Sequence, residues 1–295
     1  MARFAVTGAS GFVGRALSEL LRREGHEVLR LVRRPARSRD EASWDPRGGI
    51  DPRAGESDHV VHLAGENIAS GRWTRARARR IHDSRVIGTA NLCRALASLR
   101  RGPRSLVSAS AVGYYGDRGD EDLFEDSASG SGFLAEVARG WENATAAAAA
   151  AGIRVAVLRI GLVLGPGGAL ARMRLPFSLG LGGRIGSGRQ YVSWIAIRDL
   201  ARAILHAALE LEGAVNATSP HPVTNAEFAR SLGRALHRPA LLPAPAFALR
   251  ILFGRMADEC LLASQRALPR RLLASGFRFE FEDLDRALAT ALARR

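Results

Sequence analysis

The chain has 295 residues, a formal net charge of +14 and two cysteines, Cys93 and Cys260, which excludes a disulfide framework and a cysteine-rich metal site. No apolar run approaches the ~20 residues of a membrane span, and no secretory apolar segment precedes the opening MARFAVTGAS, so a soluble cytoplasmic protein without a membrane partner is expected. The positive charge invites a nucleic-acid reading, but all 43 Lys/Arg positions are arginine, the pattern of a coding bias, and RWTRARARRIHDSR (72–85) spreads its charge around a helix with few aromatics. A small molecule rather than nucleic acid is the expected partner.

In chain order, residues 3–7 (RFAVT) read as a first strand and 12–24 as a helix. Strands follow at 27–33 and 59–64, a long helix at 73–99 and a strand at 104–109. A helix at 133–151, closed by Gly152, precedes a strand at 154–160. This alternation predicts an α/β fold, a doubly wound parallel sheet of Rossmann-like type. Glycine- and proline-rich stretches then suggest loops wrapping over the sheet: GPGG and GLGGRIGSG within about 166–198, and SPHPV within 219–240. A helix at 199–211 and a strand at 214–218 return to the main body. A proline-punctuated connector, 238–247, leads to a mostly helical end. The expected division is 1–240 as the nucleotide-binding domain, with late insertions covering a pocket, and 241–295 as a small C-terminal domain. Monomer and homodimer both remain open.

Within the first unit, TGASGFVG (7–14) joins strand to helix with glycines at 8, 11 and 14. Gly8 permits the tight turn, Gly11 lets backbone approach a pyrophosphate, and Gly14 lets helix and strand pack closely. The helix start at Phe12, Val13 and Gly14 offers unpaired N–H groups to phosphates, and Ser10 adds a hydroxyl. The second strand ends in Arg33 and Arg34 with no acid before Asp40. A guanidinium grips a ribose 2′-phosphate that a carboxylate would repel, so NADP(H) is the expected cofactor. His59, His62 and His82 lack ligand spacing, so no metal is expected. Trp44 and Asp45 read as a turn near the adenine end.

TGASGFVG, HLAGENI (62–68), VIGTANL (86–92), SLVSASAVGYYGD (105–117) and LRIGLVLGP (158–166) resemble the extended short-chain dehydrogenases/reductases. LAGENIASGRWT, FLAEVARGWE, GLGGRIGSGRQYVSWI and QRALPRRLLASGF narrow the resemblance to their atypical nucleotide-sugar-epimerase-like subgroup, with its small C-terminal domain of unknown function. The resemblance implies that Leu63, Ala64 and Gly65 run beside the cofactor, with Glu66 at the pocket's edge and Arg159 toward the nicotinamide. It also exposes a break. The family's Tyr/Lys pair falls on Leu134 and Ala138, its Asn on Arg85, and a histidine expected in the subgroup on Ala196. Two readings follow. An oxidoreductase or epimerase-like enzyme would rely on Ser110 to polarise a substrate oxygen, Arg85 for charge, and Tyr114 or Tyr115 as proton carrier. A regulatory or redox-sensing protein would bind NADP(H) without catalysis. Arg85 paired with Asp83 or Glu66, and tyrosines packed under a loop, are the plain structural alternatives. Arg189 and Gln190 either meet a substrate or only order their loop.

Overall fold

The computed structural model describes residues 1–69 and 71–293. Seven strands form one parallel sheet: β1 (Arg3–Thr7), β2 (Glu27–Val32), β3 (Glu41–Ser43), β4 (His59–His62), β5 (Ser105–Ala111), β6 (Arg154–Ile160) and β7 (Gly213–Ala217). Their spatial order is β7-β6-β5-β4-β1-β2-β3, so the winding reverses between β1 and β4. In such a sheet, ligands bind at the carboxyl ends of the strands beside that reversal.

Both faces are covered, which is why the strands read as continuous apolar runs rather than alternating ones. Phe4, Val6, Val61 and Val107 point to one face, where helices α1 (Phe12–Arg23) and α6 (Ile197–Glu210) contribute Leu17, Leu21, Leu200 and Ile204. Ala5, Leu29, Val60 and Leu106 point to the other, against Leu92, Cys93 and Leu96 of α2 (Arg75–Ala97) and Ala148 of α4 (Ala146–Ala150). Thr74 caps α2 through the Arg77 N–H. Gly25 and Gly152 close α1 and α4 with φ of +79° each.

Three elements differ from expectation. The segment 133–151 is two helices, α3 (Phe133–Asn143) and α4, because Thr145 Oγ1 donates to the Glu142 carbonyl and draws backbone out of the ladder. β3 is an edge strand of three residues, too short to show a period. Inside the glycine-rich stretch, α5 (Gly168–Ser178) forms in spite of Pro176 because Leu170 and Phe177 bury themselves.

The C-terminal part packs on the body along its length. Phe281, Leu284 and Leu288, the latter two in α10 (Leu284–Leu292), share a core with Trp194 and with Phe228 and Leu232 of α7 (Asn225–Ala235). Arg266–Ala267 pairs in parallel with Asp122–Leu123. Buried Asp199 accepts the Glu280 and Phe281 N–H groups, both at 2.8 Å.

Candidate functional site

The glycine loop is shaped by close backbone approach. At Gly8 (φ +68°) a Cβ would sit 2.9 Å from the Leu63 carbonyl carbon, and at Gly14 a Cβ would lie 2.2 Å from the Gly8 carbonyl oxygen. Gly11 N–H donates to Gly8 O, and the first intrahelical bond of α1 runs from Arg15 to Gly11 O. The N–H groups of Phe12, Val13 and Gly14 therefore precede the ladder. α1 has neither a side-chain cap nor an acidic residue in its first turn, so its positive end is left for an anion. Ser10 is exposed, and its carbonyl accepts from Arg15 Nη1. Val13 packs into the core, and the Phe12 ring wedges against the loop around Gly165 and Gly167, where a Cβ would come within 2.8 and 2.9 Å of it.

A buried network sets the neighbouring segment. Thr7 Oγ1 accepts the Leu63 and Ala64 N–H groups at 3.1 and 3.2 Å. Its proton therefore goes to His62 Nδ1 at 2.8 Å, which leaves Nε2 protonated and donating to Thr89 Oγ1 at 3.0 Å. Complete burial brings the His62 pKa down to about 4, so the ring is neutral. Leu63 and Ala64 are thus held beside the glycine loop.

The two arginines at the end of β2 part company. Arg34 makes a bidentate pair with Glu41, both bonds at 2.8 Å, and Glu41 also pairs with Arg30 and accepts the Arg37 N–H. These contacts, Arg34 first, hold the Glu41 carboxyl at about 2. Arg33 is exposed, and both arginines border a recess with Ser43, Trp44, Asp45 and Pro46. They differ in that the fork of Arg34 is engaged by Glu41, an acid in an edge strand that the sequence conceals.

Beyond the carboxyl end of β5 lies a cavity of about 410 Å³. Ser110 and Arg85 line it, as do Leu134, Val137, Ala138 and Trp141 of α3. Ser110 Oγ donates to Glu142 Oε1 at 2.8 Å, and Glu142 forms a bidentate pair with Arg159, at 2.9 and 2.8 Å. Arg85 donates to the carbonyls of Glu66 and Ile81 and lies 5.0 Å over the Trp141 ring. Burial lowers its pKa to about 10, which leaves it cationic at neutral pH. Arg85 pairs with neither expected carboxylate in this bonding. The Glu66 carboxylate stands 3.8 Å from Arg80 instead.

Tyr114, Tyr115 and Arg159 lie outside the cavity wall. Tyr115 is fully buried and outside the cavity wall; Arg159 Nη1 donates to its hydroxyl, which faces Asn216 Oδ1 at 2.7 Å and the Phe124 carbonyl at 2.9 Å. Burial pushes its pKa up to about 12. Arg159 is only 3% exposed, and its nitrogens go to Glu142, Tyr115 and the Glu125 carbonyl, so it braces the end of the sheet. Tyr114 lies face-on beneath the same guanidinium at 3.5 Å. Gln190 orders its loop through the Ile185 and Leu261 carbonyls, and Arg189 is exposed outside the wall.

Sequence reasoning missed Glu41, Glu142, Trp141 and Glu259. Glu142 and Trp141 sit in FLAEVARGWE, eight and seven residues past Leu134, two turns along the same helix. That spacing was the available signal. Glu259 offered none: it reaches from the C-terminal part to accept the Phe133 and Leu134 N–H groups, capping α3 where Gly132 has no side chain to do so. Among the described residues, no group of His, Cys, Asp and Glu is arranged to hold a metal, and no helix is long and apolar enough to cross a membrane.

A doubly wound sheet, a glycine loop opening its first helix and a cavity over the strand ends define a Rossmann-like protein of extended short-chain dehydrogenase build. The chain belongs to the NAD dependent epimerase/dehydratase family, which matches residues 4–218, while residues 244–291 match a domain of unknown function, DUF1731. It is 46% identical over 295 residues to the epimerase family protein Mb2239 of Mycobacterium bovis, covering 98% of this chain and 97% of that one. The crystal structure of human epimerase family protein SDR39U1 with NADPH superimposes with a TM-score of 0.89 at 37% identity, covering 98% of each chain. The UDP-N-acetylglucosamine 4-epimerase of Bacillus cereus shares the fold alone, at 18% identity and a TM-score of 0.77 over 98% of this chain and 97% of that one.

Proposed function

We propose that the protein is an NADP(H)-dependent oxidoreductase, epimerase-like in build, acting on a small carbonyl or alcohol. The cradle fits the cofactor on three counts: two glycines whose places no side chain can take, an uncapped helix start without acids, and Arg33 beside the recess past β2. The human relative solved with NADPH supports the same assignment. Phe12, Val13 and Gly14 would hold the pyrophosphate, Leu63 to Gly65 would flank the cofactor, and Arg33 would meet the 2′-phosphate. When bound, the cofactor supplies or accepts the hydride.

The observation that carries the chemistry is the chain Ser110–Glu142–Arg159 at the cavity. With its proton committed to Glu142, Ser110 Oγ presents lone pairs to the cavity and accepts a hydrogen bond from a substrate hydroxyl. In the oxidising direction the substrate proton passes to Ser110 Oγ as the serine proton passes to Glu142. In the reducing direction both transfers run backwards, from a Glu142 that has taken its proton from solvent. Arg159 holds the Glu142 carboxyl in place through the bidentate pair. Arg85 adds positive charge to the wall.

A panel of ketones, aldehydes and alcohols, followed at the NADPH absorbance, tests this. Turnover should fall roughly 100-fold in Ser110→Ala, the ordinary worth of a general acid–base group, with kcat affected more than KM. Unchanged turnover in Ser110→Ala would remove the serine from the chemistry. One observation favours the rival, a sensor that binds without turning over: Leu134 and Ala138, the positions to which the resemblance assigns the family's tyrosine and lysine, line the wall with side chains that carry no proton donor. Tight NADPH binding with no turnover on any substrate would decide for it.

A further inference from the structure

We infer that the cavity is built for an apolar molecule carrying one oxygen function, not for a nucleotide-linked or free sugar; this rests on the functional reading above and narrows its substrate. The wall is formed largely by Leu134, Val137, Leu162, Met173, Phe228 and Leu261. Among the described residues one arginine, Arg85, lines that wall, and its Nη1 is shared between two backbone carbonyls. The Glu259 carboxylate lines the same cavity. A diphosphate entering here would meet one guanidinium and a like charge, and an anion withdrawn from water without partners is strongly disfavoured.

Sugar hydroxyls would find few partners, because several polar side chains of the wall already hold neighbouring backbone, which leaves the Tyr191 hydroxyl as a further polar group in the lining. Asn225 Oδ1 accepts the Ile185 N–H, Gln265 Nε2 donates to the Gly116 carbonyl, and Ser193 Oγ donates to the Gln265 carbonyl while accepting the Ala267 N–H. Ser110 lines the wall and, with its proton given to Glu142, offers lone pairs to one oxygen function. Trp141 stands in the same wall, its buried indole N–H without a hydrogen-bond partner among the described residues. A few polar groups within an apolar wall suit a single carbonyl or hydroxyl on a hydrocarbon body.

The test is calorimetry on protein saturated with NADPH, titrated with 4-phenyl-2-butanone and, separately, with UDP-glucose and glucose. The inference expects the aryl ketone to bind with an affinity indifferent to salt and with a negative heat-capacity change, the mark of apolar burial. Leu134→Gln and Met173→Gln should each weaken it about tenfold, with melting temperatures unchanged; having two variants covers the case in which one fails to fold. Binding of UDP-glucose or glucose in place of the ketone, or of none of the three, overturns the inference. NADPH binding is measured first, so protein that takes NADPH but refuses the ketone sinks this inference alone. Failure to bind NADPH would bring down the functional reading with it.

Discussion

A histidine in the first shell of core residues sets the backbone beside the glycine loop. His62 is fully buried, bonded on both ring nitrogens and neutral, with its pKa held at about 4 by burial. In the unfolded chain the ring takes a proton near pH 6.5. A folded pKa below the unfolded one means stability that is complete above pH 6.5 and lost as pH falls toward 4, by roughly 3 kcal/mol over that window. Burial lowers the pKa values of His59 and His206 too, so they slope the same way. The quantity to measure is therefore the difference between wild type and His62→Gln in urea unfolding at successive pH values. Wild type should lose more stability on acidification than the variant. Parallel curves would mean that His62 is not held neutral.

At the scale of elements, α3 is set in place from three sides. Glu142 ties it to the end of β5, Arg85 covers Trp141, and Glu259 caps its first turn from 126 residues downstream. Glu259→Ala should cost about 1 kcal/mol, the usual worth of a cap with favourable charge at a helix start. Arg255→Ala, which removes only the partly exposed partner of Glu259 at 2.6 Å, should cost less than half of that. Urea midpoints of the two variants decide the matter, and equal losses would show that the ion pair, not the cap, is what counts. The helix itself was legible in the sequence, because a 3.6-residue period survives in FLAEVARGWE. Its cap was not, since a contact so distant along the chain leaves no local pattern. The same holds for Glu41, which neutralises Arg34 from a strand too short to show a period, and for Arg159, whose partners come from three separate segments. By contrast Gly8, Gly14 and the Leu63–Gly65 segment were readable, because close backbone approach admits glycine alone at Gly8 and Gly14 and leaves that mark in sequence.

In the whole molecule, the N-terminal half of the sheet builds the cradle and the later segments close an apolar cavity over the strand ends. α5, α7 and the C-terminal part share one core with Trp194, so the wall is continuous with the body that carries the glycine loop. Alternating runs of strand and helix announced the doubly wound parallel sheet. The covering part was less readable because its glycine-rich stretch masks α5 and its bonds run across more than 70 residues. We propose that the cradle selects the phosphorylated dinucleotide chiefly through Arg33, because the fork of Arg34, which borders the same recess, is engaged by Glu41. Calorimetric titration with NADPH and NADH, on wild type, Arg33→Ala and Arg34→Ala, tests it most directly. NADPH should bind about tenfold or more tightly than NADH, as one or two charge-assisted bonds to a 2′-phosphate provide. Arg33→Ala should erase that preference, whereas Arg34→Ala, whose guanidinium already serves Glu41, should largely keep it. Equal affinity for the two cofactors in wild type, or a preference lost in Arg34→Ala and kept in Arg33→Ala, would contradict the account.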